Sequence, residues 1–251
     1  MTIQRLSDQD QEGGLAQVKS KAYKPQIRFQ NLAQTDVQSS NHSCQFAHNR
    51  NKEDLVDFYG IRDGSDDYTD TDFSADDSAL FWSDIGENNN GWSGFEWKRA
   101  GVEFDGHSLF GTDGVTPADV RQGSLGNCWF LSAISALSEV PGRIERVFVN
   151  DEKSDRGIYA VNFYTLGVPH TVIIDDYIPV ETWYGNVYTI FSRMGEDQAL
   201  WAPLLEKAFG KLHGNYAHTV GGDSRRAART LSGGPYESFA HSDFSEDEIW
   251  N

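Results

Sequence analysis

The stretch Gln122-Gly123-Ser124-Leu125-Gly126-Asn127-Cys128-Trp129-Phe130-Leu131-Ser132-Ala133 constrains this chain more than any other. A polar, glycine-rich approach runs into a cysteine, and an apolar run begins at once. Trp129, Ile134, Leu137 and Val140 recur at helical spacing, and Pro141-Gly142 stops the run. The spacing predicts a buried helix with Cys128 in its first turn. There the unpaired N–H groups and the positive end of the helix dipole favour a thiolate, the nucleophilic form of sulfur. Gln122, six residues earlier, carries a side-chain amide whose N–H could reach back toward the sulfur. That is the kind of donor an oxyanion needs in acyl transfer. The same pattern suits a second reading, in which Cys128 is a small buried hydrophobe.

Composition narrows the setting. A chain of 251 residues holds one large domain or two small ones, and 38% apolar residues predict that part of it stays unfolded. The net charge of −17 argues against nucleic acid and anionic membrane surfaces as partners, since both need a basic patch. Cys44 and Cys128 are the two cysteines and sit in unlike surroundings, as free thiols do in a reducing compartment. Met1 to Gly14 lacks the apolar core of a secretory signal, and no apolar run approaches the roughly 20 residues of a spanning helix. The expectation is a soluble, intracellular, cytoplasmic protein without a transmembrane segment.

Residues 1–50 are rich in Gln, Asn, Ser and Asp, and their thin apolar content predicts disorder, with a short strand or docking segment at Ile27-Arg28-Phe29. Between 52 and 90 twelve acidic residues face two basic ones. An EF-hand loop starting at Asp70 would need Gly and Glu where Ala75 and Phe81 stand, so this stretch reads as a solvated acidic linker. Apolar density rises from Leu80, and the folded domain is expected to begin near Tyr68. Thr112 to Asp119 is a turn-rich loop leading to Gln122, and Arg143 to Val149 a short helix. Residues 157–166 and Thr171 to Ile174 alternate like strands and predict a hairpin turning at Gly167-Val168-Pro169. Pro179 is expected to end the extended stretch. Leu200 to Leu212 predicts a helix with Trp201, Leu204, Leu205, Ala208 and Leu212 on one stripe, Pro203 in its first turn and Gly214 at its end. Neither glycine pair, Gly221-Gly222 or Gly233-Gly234, leads into the Gly-Lys-Ser/Thr of a phosphate-binding loop.

The run Gln-Gly-x-x-Gly-Asn-Cys-Trp-Phe-Leu-Ser-Ala resembles the active-site segment of the calpain family, calcium-regulated intracellular thiol endopeptidases with a papain-like core. Further segments carry the same resemblance: Asp72 to Trp82 (with Ser74 where the family usually has Pro), Phe95 to Arg99, the hairpin with Asp175-Asp176, Leu204 to Ala208, and the glycine pairs. Over roughly Asp72 to Trp250 it implies an α+β, papain-like half-domain, with a Cys helix on short antiparallel strands. Cys128 would be the acyl-forming nucleophile, Gln122 the oxyanion donor and Trp129 a shield over the site. The substrates would be proteins.

A thiol protease also needs a His base and an Asn or Asp to orient it. His170, His213, His218 and His241 follow Cys128, but none sits in the family's Gly-His-Ala setting, and no Asn-Pro-Trp-Gly segment is present. In papain-like enzymes these groups come roughly 130–150 residues after the Cys. Ser245 to Trp250 resembles the first helix of the second calpain half-domain. The expected division is therefore a disordered region over 1–67, a Cys-bearing half-domain over 68–240, and over 241–251 the start of a second half that supplies the base. By this reading the chain alone is an inactive fragment; the alternative is a catalytically dead calpain-like binding module.

The resemblance also implies calcium, held by main-chain oxygens of Thr112 and Gly114 and the carboxylate of Asp119, all hard donors. Two positions depart from the family. Ala199 stands where a second, bidentate Glu is expected, so that Glu196 or Asp197 would have to substitute by a shift of the loop. Pro117 replaces an Arg that bridges the two half-domains.

Overall fold

The computed structural model describes residues 57–82, 91–104, 106–237, Ser242 and Ser245. Order begins earlier than Tyr68. Asp57 caps helix α1, Phe58–Arg62, by accepting the Gly60 N–H at 2.9 Å, and Phe58 is buried beside Ile158 and Ala160. Asp76 caps α2, Asp77–Leu80, in the same way. The linker reading thus fails over 57–82: Asp57 and Asp76 start helices, and Asp70 pairs with the buried Lys211. Residues 1–56, with the Ile27-Arg28-Phe29 segment and Cys44, lie outside the described residues, as does the segment 246–251.

Strand β1, Glu96–Arg99, runs into α3, Ala100–Glu103, and the Cys helix α4 spans Cys128–Ser138. Only a single 3-10 turn, Glu145–Val147, occupies the segment expected as a short helix. The hairpin forms as β2, Ile158–Thr165, and β3, Val168–Asp175, but its turn is tighter than expected. Leu166 and Gly167 make it, both at positive φ, as a two-residue hairpin turn requires. Pro169 then sits within β3 opposite Tyr164.

Pro179 does not end the extended chain. It lies in β4, Tyr177–Trp183, the centre of an antiparallel sheet ordered β1-β4-β5, with β5 at Asn186–Thr189. Pro179 faces Trp97 of β1, while β5 pairs with β4 only from Val180 onward. Its missing N–H therefore costs no ladder bond on the β5 side, where its carbonyl accepts the Ile190 N–H at 3.1 Å.

Helix α5, Trp201–His213, starts with Pro203 in its first turn and ends at Gly214, as its sequence predicts. Its surroundings are not those of a one-sided stripe. Glu206, Lys207 and Lys211 are buried along with the apolar residues. Lys207 pairs with Asp175 and donates to the Tyr177 carbonyl at 2.6 Å. Lys211 bridges Asp70 at 2.5 Å and the Ile173 carbonyl at 2.8 Å, and the Asp70 N–H closes the network on Asp175 at 2.7 Å.

Helix α6, Ser224–Ser232, lies between the two glycine pairs and has no counterpart in the sequence reading. Ala227 and Leu231 are buried, and Arg225, Arg226 and Arg229 are exposed. The main core gathers α4, α5, α6, β2 and β3; at its centre Phe130 of α4 stacks on Phe209 of α5, ring centroids 4.0 Å apart. The buried face of α4 is Phe130, Leu131, Ala133, Ile134 and Ser138, whereas Trp129 is half-buried and Val140, past the helix end, is exposed. No described helix is long and apolar enough to cross a membrane. The architecture is mixed α and β with short antiparallel strands, matching the expected class.

Candidate active site

Helix α4 begins where the glycine-rich loop ends. Asn127 is its N-cap, and the Asn127 carbonyl accepts the N–H groups of Phe130 at 2.8 Å and Leu131 at 3.1 Å. Cys128 is thus the first helical residue. It is a free thiol and exposed, which overturns the buried-hydrophobe reading. Its position puts the sulfur at the end where main-chain N–H groups lack intrahelical acceptors.

Gln122 is exposed on the same loop, and its Nε2 donates to the Leu125 carbonyl at 2.9 Å. That bond uses one of the two amide hydrogens and folds the loop back toward the start of α4. Trp129 closes the other side: its Nε1 donates to the Thr219 carbonyl at 2.8 Å, and its ring meets Phe209 edge-on.

Behind the cysteine lies a buried polar pair that the sequence reading missed. Asn127 is fully buried, and its Nδ2 donates to Glu206 Oε1 at 2.7 Å; the second oxygen of Glu206 accepts the Ser192 N–H at 2.7 Å. Burial pushes the Glu206 carboxyl up to about 7, while the N–H groups of Ser192 and Asn127 pull the other way.

The histidines near this region have other engagements. His213 turns Nδ1 to the Phe209 carbonyl at 2.9 Å, and burial pushes its imidazole below the usual range. His218 turns Nδ1 to the His213 carbonyl at 2.7 Å, and His170 sits in β3 opposite Phe163. His241 lies outside the described residues.

Among the described residues no three His, Cys, Asp or Glu side chains converge as a metal cluster. Two carboxylates do approach each other at the loop expected to hold calcium. Asp119 ends a 3-10 turn, is buried, and accepts the Thr116 N–H at 2.8 Å and the Trp201 Nε1–H at 3.0 Å on Oδ2. Asp197 accepts the Thr112 N–H at 2.8 Å on Oδ2 and the Ala199 N–H at 3.3 Å on Oδ1. A Cβ on Gly195 would lie 2.6 Å from Asp119 Oδ1 and 3.0 Å from Asp197 Oδ1. Only glycine leaves the gap between these oxygens open. Thr112 and Gly114 lie on the loop joined to Asp197, so the donor set is all oxygen and fits a hard cation.

Comparison with known proteins bears on the family. The model of the calpain family of cysteine proteases matches residues 68–251. The rice calpain-type cysteine protease ADL1 is 33% identical over 202 residues, covering 76% of this chain and 9% of that protein. Rat calpain-8 is 34% identical over 175 residues, covering 68% of this chain and 24% of its own length. Nematode (Caenorhabditis elegans) calpain-5 is 36% identical over 159 residues, covering 61% and 24%. The chain thus spans less than a quarter of the length of these relatives. It belongs to the calpain family of cysteine proteases.

Proposed function

We propose that this chain is the Cys-bearing, papain-like part of a calcium-dependent cysteine endopeptidase acting on protein substrates. The observation that carries this reading is an exposed Cys128 at the first position of a helix otherwise buried against the core. The thiolate attacks the scissile carbonyl carbon, a C–S bond forms, and negative charge develops on the carbonyl oxygen. The second amide hydrogen of Gln122 and the main-chain N–H at the start of α4 are the donors for that charge. The intermediate collapses, the C–N bond breaks and the amine leaves with a proton from the base; water then cleaves the C–S bond of the thioester, releasing the carboxylate and restoring the thiol. The base and its orienting partner are expected from outside the described residues, since no histidine after Cys128 stands in the family's Gly-His-Ala setting. The 251-residue chain alone is accordingly expected to hydrolyse no casein; turnover that disappears in Cys128→Ala would instead place the base within it.

Asp119, Asp197 and main-chain oxygens of Thr112 and Gly114 would hold the calcium. Asp197 stands in for the carboxylate lacking at Ala199, and its bond to the Thr112 N–H supports this without a loop shift. Bound there, calcium would offset the negative charge of the paired carboxylates and would supply no covalent chemistry. Asp119 also accepts from Trp201, the first residue of α5, so a ligand of this site is tied to that helix. Calorimetric titration of calcium into the chain should release heat that is lost in Asp119→Ala and in Asp197→Ala; no heat at millimolar calcium removes the site.

A further inference from the structure

One carboxylate joins the two sides of the candidate site. Through Oε1, Glu206 holds Asn127, the residue directly before Cys128 and the N-cap of α4. Through Oε2 it holds Ser192, in the segment on which the Gln122 loop rests. Ser124 donates its N–H and its hydroxyl to the Ile190 carbonyl at 2.9 and 3.0 Å, and the Arg193 N–H donates to the Arg121 carbonyl at 2.7 Å. A Cβ on Gly123 would lie 1.9 Å from the Phe191 carbonyl oxygen and 2.2 Å from that of Ile190, so loop and segment are in direct contact.

We propose that Glu206 is a positioning residue of the protease, its two hydrogen bonds holding the Cys128 end of α4 and the Gln122 loop in register. This rests on the roles proposed above for Cys128 and Gln122; Glu206 itself touches no substrate. Each N–H donor has its own oxygen, and the ionised carboxylate offers a strong acceptor to both, whereas the neutral acid turns one of the two oxygens into a hydroxyl, a weaker acceptor. On protonation one oxygen becomes a donor. The acceptor at hand is Asn127 Oδ1, buried and without a partner, so the side-chain amide of the residue before Cys128 has to turn.

The ionisable groups around Glu206 leave it in control of this step. Tyr216 is fully buried, and burial together with the Glu206 charge pushes its phenol far up, so it stays neutral. Lys207, the next residue of α5, is taken by Asp175. Cys128 is exposed, one residue beyond Asn127. Arg121 and Arg193 line the surface of the bridged loop, near Glu196 and Glu181 respectively. With the Glu206 carboxyl pushed up to about 7, register is lost as pH falls through that value.

The test compares two reactions of Cys128 in the 251-residue chain, read by mass spectrometry with Cys44 as internal reference. In acylation by p-nitrophenyl acetate the S–C bond forms, the C–O bond breaks and p-nitrophenolate leaves; charge builds on the carbonyl oxygen, so Gln122 must be in place. Alkylation by iodoacetamide displaces iodide at a saturated carbon and needs no oxyanion donor. Both consume the same thiolate, so their ratio cancels the ionisation of the sulfur. In the wild type the ratio should fall about tenfold or more as pH drops through 7. In Glu206→Gln it should be low and flat, with alkylation itself changed less than about twofold. Asn127→Ala, which leaves Glu206 bonded to Ser192, should show the same loss and serves if Glu206→Gln does not fold. A wild-type ratio and pH profile in a folded variant overturns the positioning role alone. Acylation of wild-type Cys128 no faster than that of Cys44 overturns the protease reading and the positioning role together.

Discussion

At the scale of single residues, the place of Cys128 at a helix start and of Gln122 on the loop before it was legible in the sequence because both follow from local order: a glycine-rich loop, a cysteine, then a helical apolar run. Asn127, Glu206 and Lys207 were not. Glu206 and Lys207 fall between members of the α5 stripe, and one helix's periodicity cannot tell that the far side is also covered. Their burial is decided by Asp175, Ser192 and Asn127, all distant in sequence. Removing Lys207 leaves Asp175 a buried charge without its partner, so Lys207→Ala should cost about 3–5 kcal/mol in urea unfolding. Asp119 is likewise a structural acceptor. In calcium-free buffer Asp119→Ala should cost about 1–3 kcal/mol by stranding the Trp201 and Thr116 N–H groups.

At the scale of elements, α4, α5 and the β2–β3 hairpin were legible because each carries its own period and its own stop. Helix α6 was hidden: Ala227 and Leu231 are its buried residues, too few to mark a stripe. Strand β4 was hidden by Pro179, which reads as a terminator until the unpaired position on its β5 side is known. The acidic segment was misread because charge density says solvent unless a buried cation is known, and Lys211 supplies one across 141 residues. The cysteine helix packs against α6 and, through the Phe130–Phe209 stack, against α5. Phe209→Ala should cost about 3–5 kcal/mol. Amide hydrogen exchange should quicken in α4 as well as in α5; faster exchange confined to α5 would show that the stack does not anchor the cysteine helix.

At the scale of the whole molecule, the buried Glu206 ties stability to pH in the direction opposite to an ion-paired carboxylate. Its folded-state proton is held up to about 7, against an ordinary value of 4.5. Between those values the folded state binds more protons than the unfolded chain. The contribution to stability is therefore full below about 4.5 and is lost as pH rises through about 7, on the order of 3 kcal/mol in all. Glu206→Gln should remove this step, seen as a smaller difference in Tm between about pH 5 and about pH 8 than in the wild type. The ionised form that holds the site in register is thus the less stable one, a conflict of the kind found at functional sites. The central claim, that Cys128 is the nucleophile of a calpain-type protease, is tested most directly by an epoxide active-site probe with mass-spectrometric mapping. The chain should be labelled at Cys128 and not at Cys44, faster with calcium than without, and Cys128→Ala should abolish the reaction. Equal labelling of Cys44 and Cys128 would contradict it.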